Sequence, residues 1–277
     1  MRASHLSGSI AAAVTVAMLV PGNAAPAGVA DPYAENPCLG TRAADLLCPD
    51  LRMSPPADLR IDKKTRPGRV LLRAANSINS RGEGPAELYG TRHGKFTMTA
   101  TQKIRRRSGG KLTVHTGARL GFKTVPGQYH YWKFMNAARF ELWTTDRLLR
   151  PVKRVRTGPK VFYCLRDLQR TKPSKLSPRH FHYPRCSQSL NARHVTLGTS
   201  VGWSDIYPAT YNEQWIDVTG LRGVYAFKHI ADPENGIWEN DESNNVGTTI
   251  VRLPSGRSVR SGSAGNTTPE PYRVDGP

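Results

Sequence analysis

The stretch that decides the fold covers residues 201–246 and reads VGWSDIYPATYNEQWIDVTGLRGVYAFKHIADPENGIWENDESNNV. It holds two short strand candidates, at residues 214–218 and 224–230, with Gly220 and Gly223 between them. The Asn235-Gly236 pair marks a further turn. Short apolar segments bounded by turn-forming residues indicate antiparallel β-structure in this part of the chain.

The same pattern extends upstream, where no apolar period of 3.6 residues continues for more than about two helical turns. In residues 96–101, apolar side chains alternate with threonines, which is the period of a half-buried strand. The strand candidates before residue 201 are 69–74, 86–89, 96–101, 112–115, 129–134, 140–143 and 160–165. Many short strands with Gly and Pro between them predict an all-β fold with an antiparallel β-sandwich-type core and long loops.

The two ends differ from the middle in composition. Residues 1–30 have Arg2, an apolar segment at 10–20 and small residues suited to cleavage, so we expect a signal peptide and a secreted, extracellular protein. The alternative is an uncleaved membrane anchor, although eleven largely apolar residues are too few to span a bilayer as a helix. We predict one domain at residues 31–254 and a flexible tail at 255–277, where Ser, Gly, Arg, Thr and Pro dominate.

Four cysteines permit three disulfide pairings. Proximity in sequence favours Cys38–Cys48 and Cys164–Cys186, because each pair closes a short loop. No Cys-x-x-Cys motif is present, so a zinc ribbon or a thioredoxin-like site has no sequence support. Structural disulfides agree with an oxidising, extracellular compartment.

The formal net charge is +19, and its distribution is uneven. Residues 150–193 carry twelve Lys and Arg against one acid, Asp167, which favours cell-wall polyanions or acidic proteins as partners. The alternative is a solvated face without a partner. Nucleic acid is not expected, since no nucleic-acid-binding motif accompanies the charge. Five acids between residues 231 and 245 are compatible with calcium, but their pattern favours a turn before a strand.

Three motifs resemble the lysyl oxidase family of secreted copper amine oxidases over about residues 46–253. Residues 158–167 read GPKVFYCLRD, Tyr207 lies seven residues before a Gln-Trp-Ile-Asp segment, and residues 239–245 read Glu-x-Asp-x-x-Asn-Asn. The resemblance implies an oxidoreductase that converts primary amines, including peptidyl-lysine, to aldehydes. It also implies that Lys160 and Tyr207 form the quinone cofactor, lysine tyrosylquinone, whose carbonyl condenses with the substrate amine.

Copper is needed to mature that cofactor, and bacterial family members bind it with a His-x-His-Trp-His-Phe strand. Residues 129–140 of this chain read YHYWKFMNAARF, so the three ligand positions hold Tyr129, Tyr131 and Lys133. A protonated lysine has no lone pair for a metal, and neutral phenols are poor copper ligands. As alternative ligands, His130 belongs to the opposite face of the strand, and His180 with His182 lacks an evident third partner.

The sequence therefore predicts a lysyl-oxidase-like protein in which copper and the quinone are doubtful and the oxidase activity is impaired, as in a pseudoenzyme. The alternative is a non-catalytic, secreted basic β-sandwich that binds cell-surface polyanions or acidic proteins through residues 150–193.

Overall fold

Antiparallel strands carry the fold in the computed structural model, which describes residues 36–263. One short 3-10 helix, Thr41–Asp45, precedes the strands, and no α-helix occurs within that range. The predicted signal peptide, residues 1–30, lies outside the described residues. The strands are β1 Leu46–Leu47, β2 Leu51–Met53, β3 Ala57–Asp62, β4 Leu71–Ser80, β5 Ala86–Arg92, β6 Thr97–Arg106, β7 Lys111–Val114, β8 Arg119–Thr124, β9 His130–Phe134, β10 Ala138–Thr145, β11 Pro151–Thr157, β12 Gln169–Arg170, β13 His194–Thr199, β14 Trp203–Tyr207, β15 Trp215–Asp217, β16 Gly223–Ala231, β17 Val246–Leu253 and β18 Arg257–Ser263.

The strands form three sheets. A seven-stranded sheet has the order β13-β5-β6-β8-β9, with β1 and β7 also paired to β6. A five-stranded sheet has the order β11-β10-β16-β17-β18, and a six-stranded sheet has the order β12-β14-β4-β15, with β2 and β3 also paired to β4. The predicted all-β, antiparallel class is confirmed.

One large apolar core lies among the sheets, with Trp132, Phe134, Phe140, Tyr163 and Phe227 among its largest buried side chains. On β6 the alternate residues from Met98 to Ile104 are buried, which matches the period-two pattern of the sequence. Trp132 lies on β9 of the seven-stranded sheet and Phe227 on β16 of the five-stranded sheet, so side chains of both sheets contribute to the core.

Two expectations need correction. Residues 160–165 do not form a strand: only Tyr163 pairs, as an isolated bridge to Phe134, and the next amide, that of Cys164, donates to the Tyr207 hydroxyl instead of continuing a ladder. The predicted tail does not begin at Ser255, because the chain turns there and β18 pairs with β17. Residues 264–277 lie outside the described range.

The disulfides Cys38–Cys48 and Cys164–Cys186 are both present, so the favoured pairing is confirmed. The acidic segment forms a turn, as the sequence favoured: the Asp232 carboxylate accepts from the amides of Gly236 (2.9 Å) and Ile237 (2.7 Å). Between residues 36 and 263, no helix has the length and hydropathy to cross a membrane.

Candidate functional site

Lys160 lies in the loop between β11 and β12, and only 2% of its surface is exposed. Its Nζ is 4.4 Å from the ring centre of Tyr207, 4.7 Å from that of Tyr163 and 4.9 Å from that of Tyr211. A cation this close to an aromatic face is attracted by the ring quadrupole. Three tyrosines therefore form a cage around the amine.

The rings of the cage support one another. Tyr207 is 4.9 Å from Tyr163 and 4.9 Å from Tyr211, between ring centres. The Tyr207 hydroxyl accepts a hydrogen bond from the Cys164 amide at 3.3 Å, and the Tyr163 hydroxyl accepts one from Asn76 Nδ2 at 2.5 Å. Because Tyr207 ends β14, which pairs with β4, its backbone is fixed by a central strand.

Burial changes the charge state of this lysine. Removal from water and the charge of the neighbouring Lys133 lower the pKa of Lys160, Asp205 and Glu213 raise it, and the resulting pKa is about 7. No hydrogen bond or ion pair joins its amine to another described residue. Lys160 is thus a desolvated amine close to half-protonation at neutral pH.

Asp205 brings a carboxylate to the same cluster. It lies on β14 two residues before Tyr207, is fully buried, and neither of its oxygens has a hydrogen-bond partner of normal geometry in the described part of the chain. Burial raises the pKa of Asp205 to about 7, although the charges of Arg166, Lys160 and Lys133 lower it. Burial, and after it the charge of Asp205, raises the pKa of Tyr207 well above its ordinary value, so this phenol is neutral at pH 7.

The three positions implied for copper have different surroundings. Lys133 is 2% exposed, and its Nζ lies 5.7 Å from the ring centre of Tyr131 and 6.0 Å from that of Tyr211. Burial lowers the pKa of Lys133 to about 8, which leaves it mainly protonated at neutral pH. Tyr129 is 65% exposed and precedes β9.

The histidines considered as alternative ligands lie elsewhere. His130 is exposed, stacks on Phe122 and hydrogen-bonds Thr124 Oγ1 at 2.7 Å. His180 and His182 are also exposed. No histidine is among the described residues that contact Lys160 or Tyr207. Residues 36–263 also contain no group of three or more His, Cys, Asp or Glu side chains suited to a metal.

The donor set does not fit copper. The inward-facing groups near Lys160 are phenols and a second amine, and the two carboxylates acting on it are Asp205 and Glu213. Both oxygens of Glu213 accept from Lys123 Nζ at 2.8 Å, so that carboxylate is already neutralised. A divalent cation would meet several positive charges here and only one unpaired carboxylate.

Comparison with known proteins decides the family. The lysyl oxidase family model matches residues 118–259, about half of the chain, and that range contains Lys160, Tyr207 and the ligand positions. This chain belongs to the lysyl oxidase family. Lysyl oxidase homolog 2A from Danio rerio is 27% identical to it over 144 residues, which are 48% of the chain and 17% of that relative. The chain therefore corresponds to a small part of this lysyl oxidase homolog.

Sequence reasoning did not single out Tyr163 and Tyr211, whose rings lie beside the Lys160 amine, or Asp205, whose charge acts on it. Asp205 carried a detectable signal, because residues two apart on a strand share a face and it lies two before Tyr207. Tyr211 carried none, since it lies in the loop between β14 and β15, where no period applies.

Proposed function

We propose that this chain is a secreted member of the lysyl oxidase family that no longer carries out copper-dependent amine oxidation. In this proposal, the substrates of its ancestors were primary amines such as peptidyl-lysine. The disulfides and the predicted signal peptide support export. In this proposal, Lys160 and Tyr207 remain at the cofactor positions as an unmodified amine and phenol.

The observation that carries the proposal is the buried Lys133. It stands at one of the three positions where the family has copper-binding histidines, and its ammonium group faces the same cluster as Lys160. An ammonium group repels a divalent cation and offers it no lone pair. Without copper, Tyr207 has no route to the quinone that Lys160 would join.

Peptide mass mapping of the protein produced with excess copper tests this directly. Trypsin should cut after Lys160 and release residues 157–160, while residues 194–222, which contain Tyr207, should appear separately and unmodified. A Lys160→Arg variant, which cannot form the crosslink, serves as the control and should give an equivalent map. A joined mass that contains Lys160 and Tyr207 in the wild type and disappears in the variant would overturn the proposal.

A second candidate function is binding of anionic polymers through the edge strand β11. Six of its seven residues are exposed. Lys153 and Arg156 make no ion pair with any described carboxylate, whereas Arg154 Nη1 contacts Glu141 Oε1 at 2.7 Å. Charged residues on an edge strand also prevent pairing with other sheets, which is the structural alternative.

Adsorption to anionic cell-wall material at increasing salt separates these alternatives. A binding role predicts adsorption that falls steeply with ionic strength and is lost in a Lys153→Glu/Arg156→Glu variant. An Arg222→Glu/Lys64→Glu variant makes the same charge change at exposed residues outside residues 150–193 and should adsorb like the wild type. Equal adsorption by both variants would exclude binding through β11 and leave its charged residues the role of preventing pairing with other sheets.

A further inference from the structure

A basic cleft lies in the seven-stranded sheet and shares no lining residue with the Lys160 cluster. It forms where β5 ends, β6 begins and β13 begins, and it is a depression of about 610 Å³ that is largely open to solvent. The lining residues are Thr91, Arg92, His93, Gly94, Lys95, Arg193 and His194. We refer to it as the His93–His194 cleft. None of its lining residues is an acid, and residues 89–97 and 190–197 contain no Asp or Glu.

Arg92 gives the cleft its shape. Its guanidinium donates to the carbonyl oxygens of Gly94 (3.1 Å), Lys95 (3.0 Å) and Leu190. These bonds tie the β5–β6 loop to the segment before β13. The Arg92 amide also donates to the Arg193 carbonyl at 3.0 Å. The half-buried Arg92 therefore holds the two sides of the cleft together.

Two cations and two imidazoles remain available to a ligand. Lys95 and Arg193 are exposed, and neither forms an ion pair with a carboxylate in the described part of the chain. His93 Nε2 lies 3.3 Å from Thr97 Oγ1, and His194 Nδ1 lies 3.4 Å from Thr91 Oγ1. Each ring is thus oriented by a threonine hydroxyl, and its second nitrogen has no partner among the described residues. His194 also stacks on Tyr89, with ring centres 5.3 Å apart.

We propose that the His93–His194 cleft binds a tetrahedral oxyanion, carried as a phosphate or sulfate ester, between Lys95, Arg193 and the two imidazoles. Charge-assisted hydrogen bonds from Arg and Lys are the strong contacts for such groups. The volume is within the range of small-ligand pockets and larger than one oxyanion needs, so the ester's organic part also has space. This site is independent of the fate of the Lys160–Tyr207 pair.

Histidine-detected NMR of the intact protein, titrated with inorganic phosphate and separately with inorganic sulfate at fixed pH and about 0.15 M salt, tests the proposal. The ring signals of His93 and His194 should shift saturably, while those of the exposed His115 should not. A Lys95→Glu/Arg193→Glu variant should bind about tenfold more weakly or not at all. An Arg222→Glu/Lys64→Glu variant has the same net charge, changes exposed residues outside the cleft and outside β11, and should bind like the wild type.

The two titrations also distinguish the sources of the ligand. Tighter phosphate binding would indicate phosphate esters, tighter sulfate binding would indicate sulfated glycans, and equal binding would support an oxyanion site without preference. Three results would overturn the proposal: no saturable shift, equal shifts at His115, or undiminished binding by the Lys95→Glu/Arg193→Glu variant. Unfolding curves of each variant separate loss of binding from loss of fold.

Discussion

The Nζ atom of Lys160 lies 4.4 Å from the centre of the Tyr207 ring, although the lysine is in a loop and the tyrosine ends a strand of the six-stranded sheet. Both side chains are buried, and Asp205 and Lys133 complete a cluster of charges removed from water. The cluster holds side by side the two residues that the resemblance assigns to the cofactor, and it places an amine at one of the positions that the resemblance assigns to copper.

Replacing Lys160 by Met should stabilise the fold at neutral pH. The pKa of Lys160 is lowered to about 7 in the folded state, so the unfolded chain binds more protons between pH 7 and 10 and is favoured there. A shift of that size costs on the order of 4 kcal/mol at pH 7, and the cost falls as the pH rises. Urea unfolding at pH 7 and pH 9.5 measures it.

The exposed Lys153→Met variant is the control for this prediction and should leave the free energy of unfolding almost unchanged. Destabilisation by Lys160→Met would contradict the prediction, and would also agree with a covalent bond to Tyr207 that the substitution removes. Mass mapping of the same sample distinguishes a lost crosslink from lost packing.

His229 should make stability depend on pH in mildly acidic solution. It is fully buried against Phe140, with ring centres 3.7 Å apart, and burial lowers the pKa of His229 well below its ordinary value. Below about pH 6.5 His229 is protonated in the unfolded chain but stays neutral in the folded protein. The free energy of unfolding therefore falls by up to about 1.4 kcal/mol for each unit by which the pH is lowered. Thermal unfolding between pH 7 and pH 5 measures this slope.

A His229→Phe variant should lose that part of the slope, because phenylalanine preserves the stacking and does not titrate. The exposed His115→Phe variant should keep it. A wild-type slope that survives in His229→Phe would show that other groups cause it.

Removing the Cys164–Cys186 disulfide should cost more than removing Cys38–Cys48. The bridges span 22 and 10 residues, and in the chain-entropy account the longer loop adds about 0.7 kcal/mol to a typical 2–4 kcal/mol. The longer one also anchors the segment whose Cys164 amide contacts Tyr207. Denaturant unfolding of the two double-serine variants compares them, and an equal or reversed order would contradict the prediction.

Gly247 should not accept a side chain. A Cβ atom there would collide with the carbonyl of Ser54 and lie 2.6 Å from the nitrogen of Pro55, both backbone atoms. We expect Gly247→Ala to destabilise the protein by about 1–3 kcal/mol, as overpacking does. Gly40→Ala is the matched control, since its Cβ would meet only the Asn36 carbonyl at 3.8 Å. Equal melting temperatures of the two variants would count against the prediction.

Local patterns predicted eight of the eighteen strands that the structure describes, namely β4, β5, β6, β7, β9, β10, β15 and β16. The alternation at residues 96–101 predicted β6, and the segments at 214–218 and 224–230 predicted β15 and β16 within a few residues. The segment at 160–165 has the composition of a strand but forms only one bridge, because its neighbours are loops and side chains rather than a complete partner strand. β11 was missed, since an exposed strand of basic residues has no buried face to impose a period.

By itself the sequence determined the all-β class and the family, and it favoured the cysteine pairing that the structure shows, because each depends on residues near one another in the chain or on motif spacing. By resemblance it also assigned Tyr129, Tyr131 and Lys133 to the positions implied for copper. Only the tertiary structure decided that Tyr163 and Tyr211 pack beside Lys160, that the charge of Asp205 acts on it, and that Lys133 is buried near the same tyrosines. Those contacts join loops and strands of different sheets, and their charge states follow from burial, which depends on how the sheets pack.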